Sequence, residues 1–128
     1  LTSIAGSSAY VIGGIVAYSN TVKEQQLGVR KADLLLHGAV SESVVRQMAE
    51  GVCKRLKTNW GIASSGIAGP DGGSEAKPIG TVWLAVAGPQ GTWAQKFSMG
   101  TNRTRTVEKS VLAALDALRR GLEQEASK

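Results

Sequence analysis

The sequence predicts an α/β fold, one mixed sheet held between helical layers, with an antiparallel pair of strands inside it. Three observations carry this. Residues 11–19 form a β-branched, nearly continuous apolar run, the pattern of a strand covered on both faces. Residues 41–56 and 103–123 repeat apolar side chains at helical spacing. Gly88-Pro89-Gln90-Gly91 joins two strand-like segments by a link of hairpin length.

Taken in order, the first strand (11–19) is followed by Asn20, a residue suited to cap a short helix over 21–27, which Gly28 ends. Residues 31–36 give a further helical turn. Ser41 opens a longer helix to about residue 56, with Val44, Val45, Met48, Ala49, Val52 and Leu56 in one stripe. Residues 60–66 read as the second strand, 79–87 as the third and 92–97 as the fourth. The last helix runs from Arg103 to about Glu123, with Val107, Val111, Leu115, Leu118 and Leu122 on one face. No internal repeat, low-complexity tract or linker interrupts the 128 residues, which suffice for one domain.

Composition narrows the function classes. No apolar run approaches the ~20 residues of a membrane helix. The net charge of +5 is spread, with seven basic and four acidic residues in 1–64 and eight and six in 65–128. A nucleic-acid surface calls for a basic stripe interleaved with aromatics, and only short clusters such as Arg103-Arg105 occur, so a soluble basic surface is the plainer reading. The single Cys53 has no disulfide or metal-site partner within the chain, which suits a buried thiol in a reducing cytoplasm. His37 is the only histidine, so neither a Ser-His-Asp triad nor a zinc site is assembled around it. It suits a helix end, where the dipole favours positive charge. Residues 1–6 lack the pattern of a signal or transit peptide.

Two stretches carry candidate chemistry. Ser64-Ser65-Gly66-Ile67-Ala68-Gly69-Pro70-Asp71-Gly72-Gly73 places glycines after a strand, where backbone N–H groups approach anions and where open α/β sheets bind ligands. It lacks the Gly-Lys-Ser/Thr ending of a Walker A loop and the glycine spacing of a dinucleotide fingerprint. A structural turn explains it as well, although compact domains seldom keep a loop of ~12 residues without a use. The second stretch, Tyr18-Ser19-Asn20-Thr21-Val22-Lys23, sets a phenol at a strand end and an amine one helical turn later. A desolvated lysine can serve as a general base for a serine. An interfacial tyrosine beside a solvated lysine is the bland alternative. Arg103 and Arg105 oppose the dipole at the start of the last helix, leaving anion contact and ordinary solvation both open.

Gly6-Ser7-Ser8-Ala9-Tyr10, Val16-Ala17-Tyr18-Ser19-Asn20 with Lys23, Leu27-Gly28-Val29, Gly38-Ala39-Val40-Ser41, and Ser65 through Gly73 continuing in Lys77-Pro78-Ile79-Gly80-Thr81-Val82-Trp83 occur in that order. Together they resemble the CinA C-terminal family, the nicotinamide-nucleotide amidases. The resemblance spans essentially all of residues 1–128. It implies a three-layer α/β/α domain with a mixed, mostly parallel sheet. It also implies hydrolysis of nicotinamide mononucleotide to nicotinic acid mononucleotide and ammonia in pyridine nucleotide recycling, with no cofactor or metal. The family's nucleophile is a serine in an Ala-Glu-Ser-Cys-Thr-Gly-Gly motif, expected here to precede Leu1, together with a short helix. Tyr18 and Lys23 match its catalytic helpers. The resemblance implies substrate contacts at Asn20, Ser41, Ser65, Gly66, Ile67, Ala68 and Gly69, and at Arg103 or Arg105 for the phosphate. Relatives tend to have Gly-Asp-Arg before the last helix, where this chain reads Gly100-Thr101-Asn102-Arg103, so the choice between the two arginines stays open. A homo-oligomer in the cytoplasm, binding this small molecule and neither membrane nor nucleic acid, completes the expectation. The alternative is a non-catalytic nucleotide-binding or assembly module of a competence/damage-inducible protein.

Overall fold

The structure, a computed structural model, describes residues 1–128. Its elements in chain order are a 3-10 turn (Ser7–Ala9), α1 (Asn20–Leu27), α2 (Lys31–His37), α3 (Glu42–Leu56), β1 (Gly61–Gly66), β2 (Thr81–Gly88), β3 (Gly91–Ser98) and α4 (Arg103–Ala126). The fold is mixed α/β: four helices with one three-stranded sheet in the order β1-β2-β3.

Local chemistry sets the helix ends. Ser41 Oγ accepts from the Val44 amide and caps α3, while Ser19, one residue before the expected Asn20, accepts from the Val22 amide at 3.2 Å and caps α1. Gly28 ends α1 in the left-handed region at φ 70°, its N–H donating to Glu24 O. His37 is the last residue of α2. Asn102 caps α4 by accepting from the Arg105 amide at 3.0 Å.

The sheet corrects the expectation of mostly parallel pairing, since β1 with β2 and β2 with β3 are both antiparallel. The connections explain it. Gly88 pairs with Gly91 across a two-residue turn, and 67–80 contains no helix, whereas a parallel step needs a crossover of about a dozen residues, usually helical. Residues 11–19 are a second correction: they belong to no strand, and no amide from Ile12 to Ser19 donates a backbone hydrogen bond. Ile15 and Ala17 still pack on the cluster of Leu27, Val29, Leu34, Val44 and Met48.

β2 is the central strand, and its two faces meet different helices. Ala85 and Ala87 join Val45 and Ala49 of α3, while Val82 and Leu84 join Met99 and Ala114 on the α4 side. Leu84, Val44 and Val45 are fully buried, each contributing about 1.5–3 kcal/mol by leaving water. Close approaches rely on missing side chains. A Cβ on Gly51 of α3 would lie 1.9 Å from Leu27 O, and one on Gly88 or Gly121 would lie 2.5 or 2.9 Å from the Trp60 ring. Trp60 thus wedges the start of β1 against α4. The expected apolar face of α4 is also revised, because the residues it buries are Thr106 and Ala114, while Val107, Val111 and Leu122 stay exposed. Small residues let the helix sit close to β2, and that rotation turns the longer side chains outward.

Candidate active site

The turn from residue 18 into α1 holds the most unusual charge in the molecule. Lys23 is only 6% exposed, and its Nζ donates to Ala17 O at 2.7 Å. No carboxylate pairs with it among the ion pairs of the chain. Burial therefore holds its pKa below the ordinary lysine value, since the ammonium is desolvated without a compensating negative charge. A lowered lysine pKa favours the neutral amine, the form able to accept a proton. Tyr18, by contrast, is 86% exposed and forms no hydrogen bond within the chain, so the structure does not join the two expected helpers directly. Alternation explains this: Ala17 faces the core and Tyr18 the opposite side.

A second feature lies where α2 passes into α3. Three consecutive carbonyls, those of His37, Gly38 and Ala39, each accept a side-chain hydrogen bond. The donors are Lys77 Nζ, Ser41 Oγ at 2.8 Å and Ser65 Oγ at 2.8 Å. Both expected serines are thus committed to backbone. Ser65 joins β1 to the α2–α3 connection, and Lys77 ties the far side of the glycine-rich loop to the same connection.

Within that loop, the Ile67 amide is used by Thr81 O at 2.9 Å and Ile67 O accepts from the Gly80 amide at 2.7 Å. The amides of Ala68 and of buried Gly69 donate to nothing within the chain, which leaves two N–H groups available for an anionic oxygen. Gly66 lies close against Val82, where a Cβ would come within 2.8 Å of a methyl carbon. Arg103 donates from its guanidinium to Gly69 O at 2.7 Å, whereas the guanidinium of Arg105 forms no hydrogen bond or ion pair. Of the two arginines, Arg103 is the one brought to the loop. Asn20 is exposed at the start of α1 and its side chain has no hydrogen-bond partner in the chain.

Three features escape sequence reasoning. Lys77 had a recognisable motif around it but no assigned chemistry, and only the fold reveals its partner. The free amides of Ala68 and Gly69 depend on loop conformation. Thr106 is 2% exposed and its hydroxyl has no partner, an orphan at the base of α4 that the helical pattern conceals. No group of three or more His, Cys, Asp or Glu is arranged to hold a metal ion. No helix is long and apolar enough to cross a membrane.

A family model for the CinA C-terminal domain matches residues 1–122. A CinA-like protein of a Synechococcus strain is 53% identical over 121 residues, covering 93% of this chain and 29% of its own length. One from Anaeromyxobacter dehalogenans is 50% identical, covering 95% and 30%. The chain therefore spans under a third of the length of these relatives. Among solved structures, the competence/damage inducible protein CihA of Agrobacterium tumefaciens superposes with a TM-score of 0.90 at 41% identity, covering 93% of this chain and 73% of that one. The competence damage-inducible protein A of Klebsiella pneumoniae gives 0.88 at 35%, covering 94% and 74%.

Proposed function

The chain belongs to the CinA C-terminal domain family, and on that premise we propose that it forms the substrate-binding and proton-transfer part of a nicotinamide mononucleotide amidohydrolase. The observation that carries the reading is Lys23, a buried amine without a carboxylate partner, whose lowered pKa favours the neutral form that can accept a proton. Lys23 Nζ bonds only Ala17 O and Ser65 Oγ donates to Ala39 O, and the nucleophile of this reading is the serine of the family's Ala-Glu-Ser-Cys-Thr-Gly-Gly motif, which residues 1–128 do not contain. Its Oγ attacks the carboxamide carbon as Lys23 takes the hydroxyl proton, forming a tetrahedral oxyanion. Collapse breaks the C–N bond, the nitrogen leaves with that proton as ammonia, and water then hydrolyses the acyl-serine to the carboxylate.

The unpaired Ala68 and Gly69 amides suit the oxyanion, a role worth about 3–4 kcal/mol per donor. Arg103 suits the phosphate, and Tyr18 needs a neighbour on its exposed face before it can relay a proton. Ser41 and Ser65 act by fixing the α2–α3 connection, with Asn20, Gly66 and Ile67 bordering the site. We read the domain as a three-layer α/β/α sandwich working as a homo-oligomer in the cytoplasm. The test is ammonia release from nicotinamide mononucleotide by the complete protein and by Arg103→Ala and Lys23→Ala variants. A large fall in kcat for Lys23→Ala and a raised KM for Arg103→Ala support the reading, and full activity in Lys23→Ala overturns it.

A further inference from the structure

The glycine-rich loop, residues 67–80, is clasped to the body of the domain at two points. Arg103 of α4 donates to Gly69 O at 2.7 Å, and Lys77 Nζ donates to His37 O at the end of α2. Arg103 has a share in the chemistry above, whereas Lys77 has none. We propose that Lys77 is a positioning residue. Its bond to His37 O sets the returning limb of the loop and, through Ile79, places the free Gly69 amide for the oxyanion. The placement of the loop stands by itself, and its consequence for turnover rests on the amidase reading.

Three observations support this. First, the anchor is itself held in place. Ser41 Oγ and Ser65 Oγ bond the next two carbonyls, Gly38 O and Ala39 O, each at 2.8 Å, so His37 O belongs to a connection already tied twice. Gly38 leaves room for the ammonium, since a Cβ there would lie 3.1 Å from Lys77 Nζ. Second, Lys77 makes no ion pair, so its side chain gains a fixed place on the main chain rather than a neutralised charge. Ordering a long side chain costs rotamer entropy that cancels most of what one charged hydrogen bond returns. The bond therefore adds little to global stability and acts on where the loop sits. Third, the returning limb is wedged against the outgoing one. Ser74 and Lys77 close a turn, the Ser74 amide donating to Lys77 O at 2.9 Å and the Lys77 amide to Ser74 Oγ at 3.1 Å. Two residues on, Ile79 fills the inside of the loop. A Cβ on Gly69 would lie 2.6 Å from Ile79 Cγ2, and one on Gly73 would lie 2.9 Å from the Ile79 nitrogen.

The mechanical path from Lys77 to the amide is short. Lys77 fixes the backbone that carries Ile79, Ile79 abuts Gly69, and Arg103 holds Gly69 O. Gly69 is thus gripped at its Cα and its carbonyl, while its amide donates to nothing within the chain. An oxyanion donor is effective only at about 2.7–3.1 Å from the developing charge. Placement that fine depends on supporting contacts behind the donor. Releasing the returning limb lets Gly69 drift, which weakens a contact made in the transition state and leaves ground-state binding in place. Lys77 and Arg103 therefore act on different kinetic constants.

The test uses the complete protein with Lys77→Met and Lys77→Arg, read by hydrogen exchange without substrate and by steady-state kinetics. In Lys77→Met, residues 67–80, whose Ile67, Ser74 and Gly80 amides are bonded, are expected to exchange on the order of tenfold faster. Residues 106–120 of α4 are expected to keep wild-type rates. With nicotinamide mononucleotide, kcat is expected to fall on the order of tenfold at a KM within about twofold of wild type. Lys77→Arg keeps a charged donor and is expected to restore most of both. Unchanged exchange in Lys77→Met would overturn the proposal. So would faster exchange spread over α4 as well, which would make Lys77 a stabiliser of the whole fold. A kcat held at the wild-type value, with or without a raised KM, would also overturn it, because the Gly69 amide would then not depend on Lys77. A wild type that releases no ammonia would remove the amidase reading, and exchange alone would then decide whether Lys77 places the loop.

Discussion

Lys23 Nζ donates to Ala17 O at 2.7 Å, a bond that folds a buried ammonium back onto the residue before Tyr18. It satisfies one of three N–H donors and leaves the charge uncompensated. That imbalance gives the first prediction. The folded state lowers the Lys23 pKa, so between the folded value and the ordinary lysine value the unfolded chain binds the extra proton. The stability cost of burying the charge is fully present below the folded pKa and disappears as pH rises through this window. Lys23→Met removes that slope. Urea unfolding at neutral and alkaline pH should show the variant gaining on wild type at pH 7 and losing the advantage near pH 10, and a pH-independent difference would contradict it.

Ser65→Ala strips the Ala39 carbonyl of its hydrogen bond and should cost about 1 kcal/mol in denaturant unfolding. Ser65→Thr keeps the hydroxyl and should recover most of it. In the complete protein, Ser65→Ala should also raise KM, because the α2–α3 connection loosens beside the loop.

Arg103 and Arg105 should separate cleanly. Arg103→Ala frees Gly69 O and removes the proposed phosphate partner, so KM for nicotinamide mononucleotide should rise on the order of tenfold, the size of a charged hydrogen bond. Arg105→Ala should leave KM within about twofold of wild type, as expected of a surface substitution. Equal effects would remove the basis for choosing Arg103.

Gly51→Ala sets helix propensity against packing. Alanine is better than glycine in a helix interior by about 1 kcal/mol, yet its Cβ would lie 1.9 Å from Leu27 O. The clash is with backbone, so α1 and α3 must separate. Thermal unfolding should show a net loss of roughly 2 kcal/mol or more. A rise in melting temperature would mean that the two helices are not held this closely.

The helices were legible because their ends are chemical. Ser41 and Gly28 mark caps with one residue each, and the hairpin follows from two glycines flanking Pro89-Gln90. Residues 11–19 depart from the strand expectation for a physical reason. β-branched composition reports what a segment packs against, but a ladder also needs a neighbour, and no strand pairs with residues 11–19. The face of α4 departs from its pattern because its apolar arc is wide, and the choice of Ala114 over Val111 depends on how closely a helix approaches β2. At the site, the motif marks Lys23 as a candidate base, but nothing in the spacing foretells that it is buried while Tyr18 stays exposed. The carbonyl tripod at His37, Gly38 and Ala39 joins residues up to 40 apart in sequence, beyond the reach of any local pattern.

Ammonia release from nicotinamide mononucleotide by the complete protein, wild type beside Lys23→Ala, tests the proposed chemistry most directly. With Lys23 as the base, kcat should fall by about 10²–10⁴-fold while the folded fraction is unchanged. Turnover within about twofold of wild type would contradict the assignment of Lys23 as the proton acceptor.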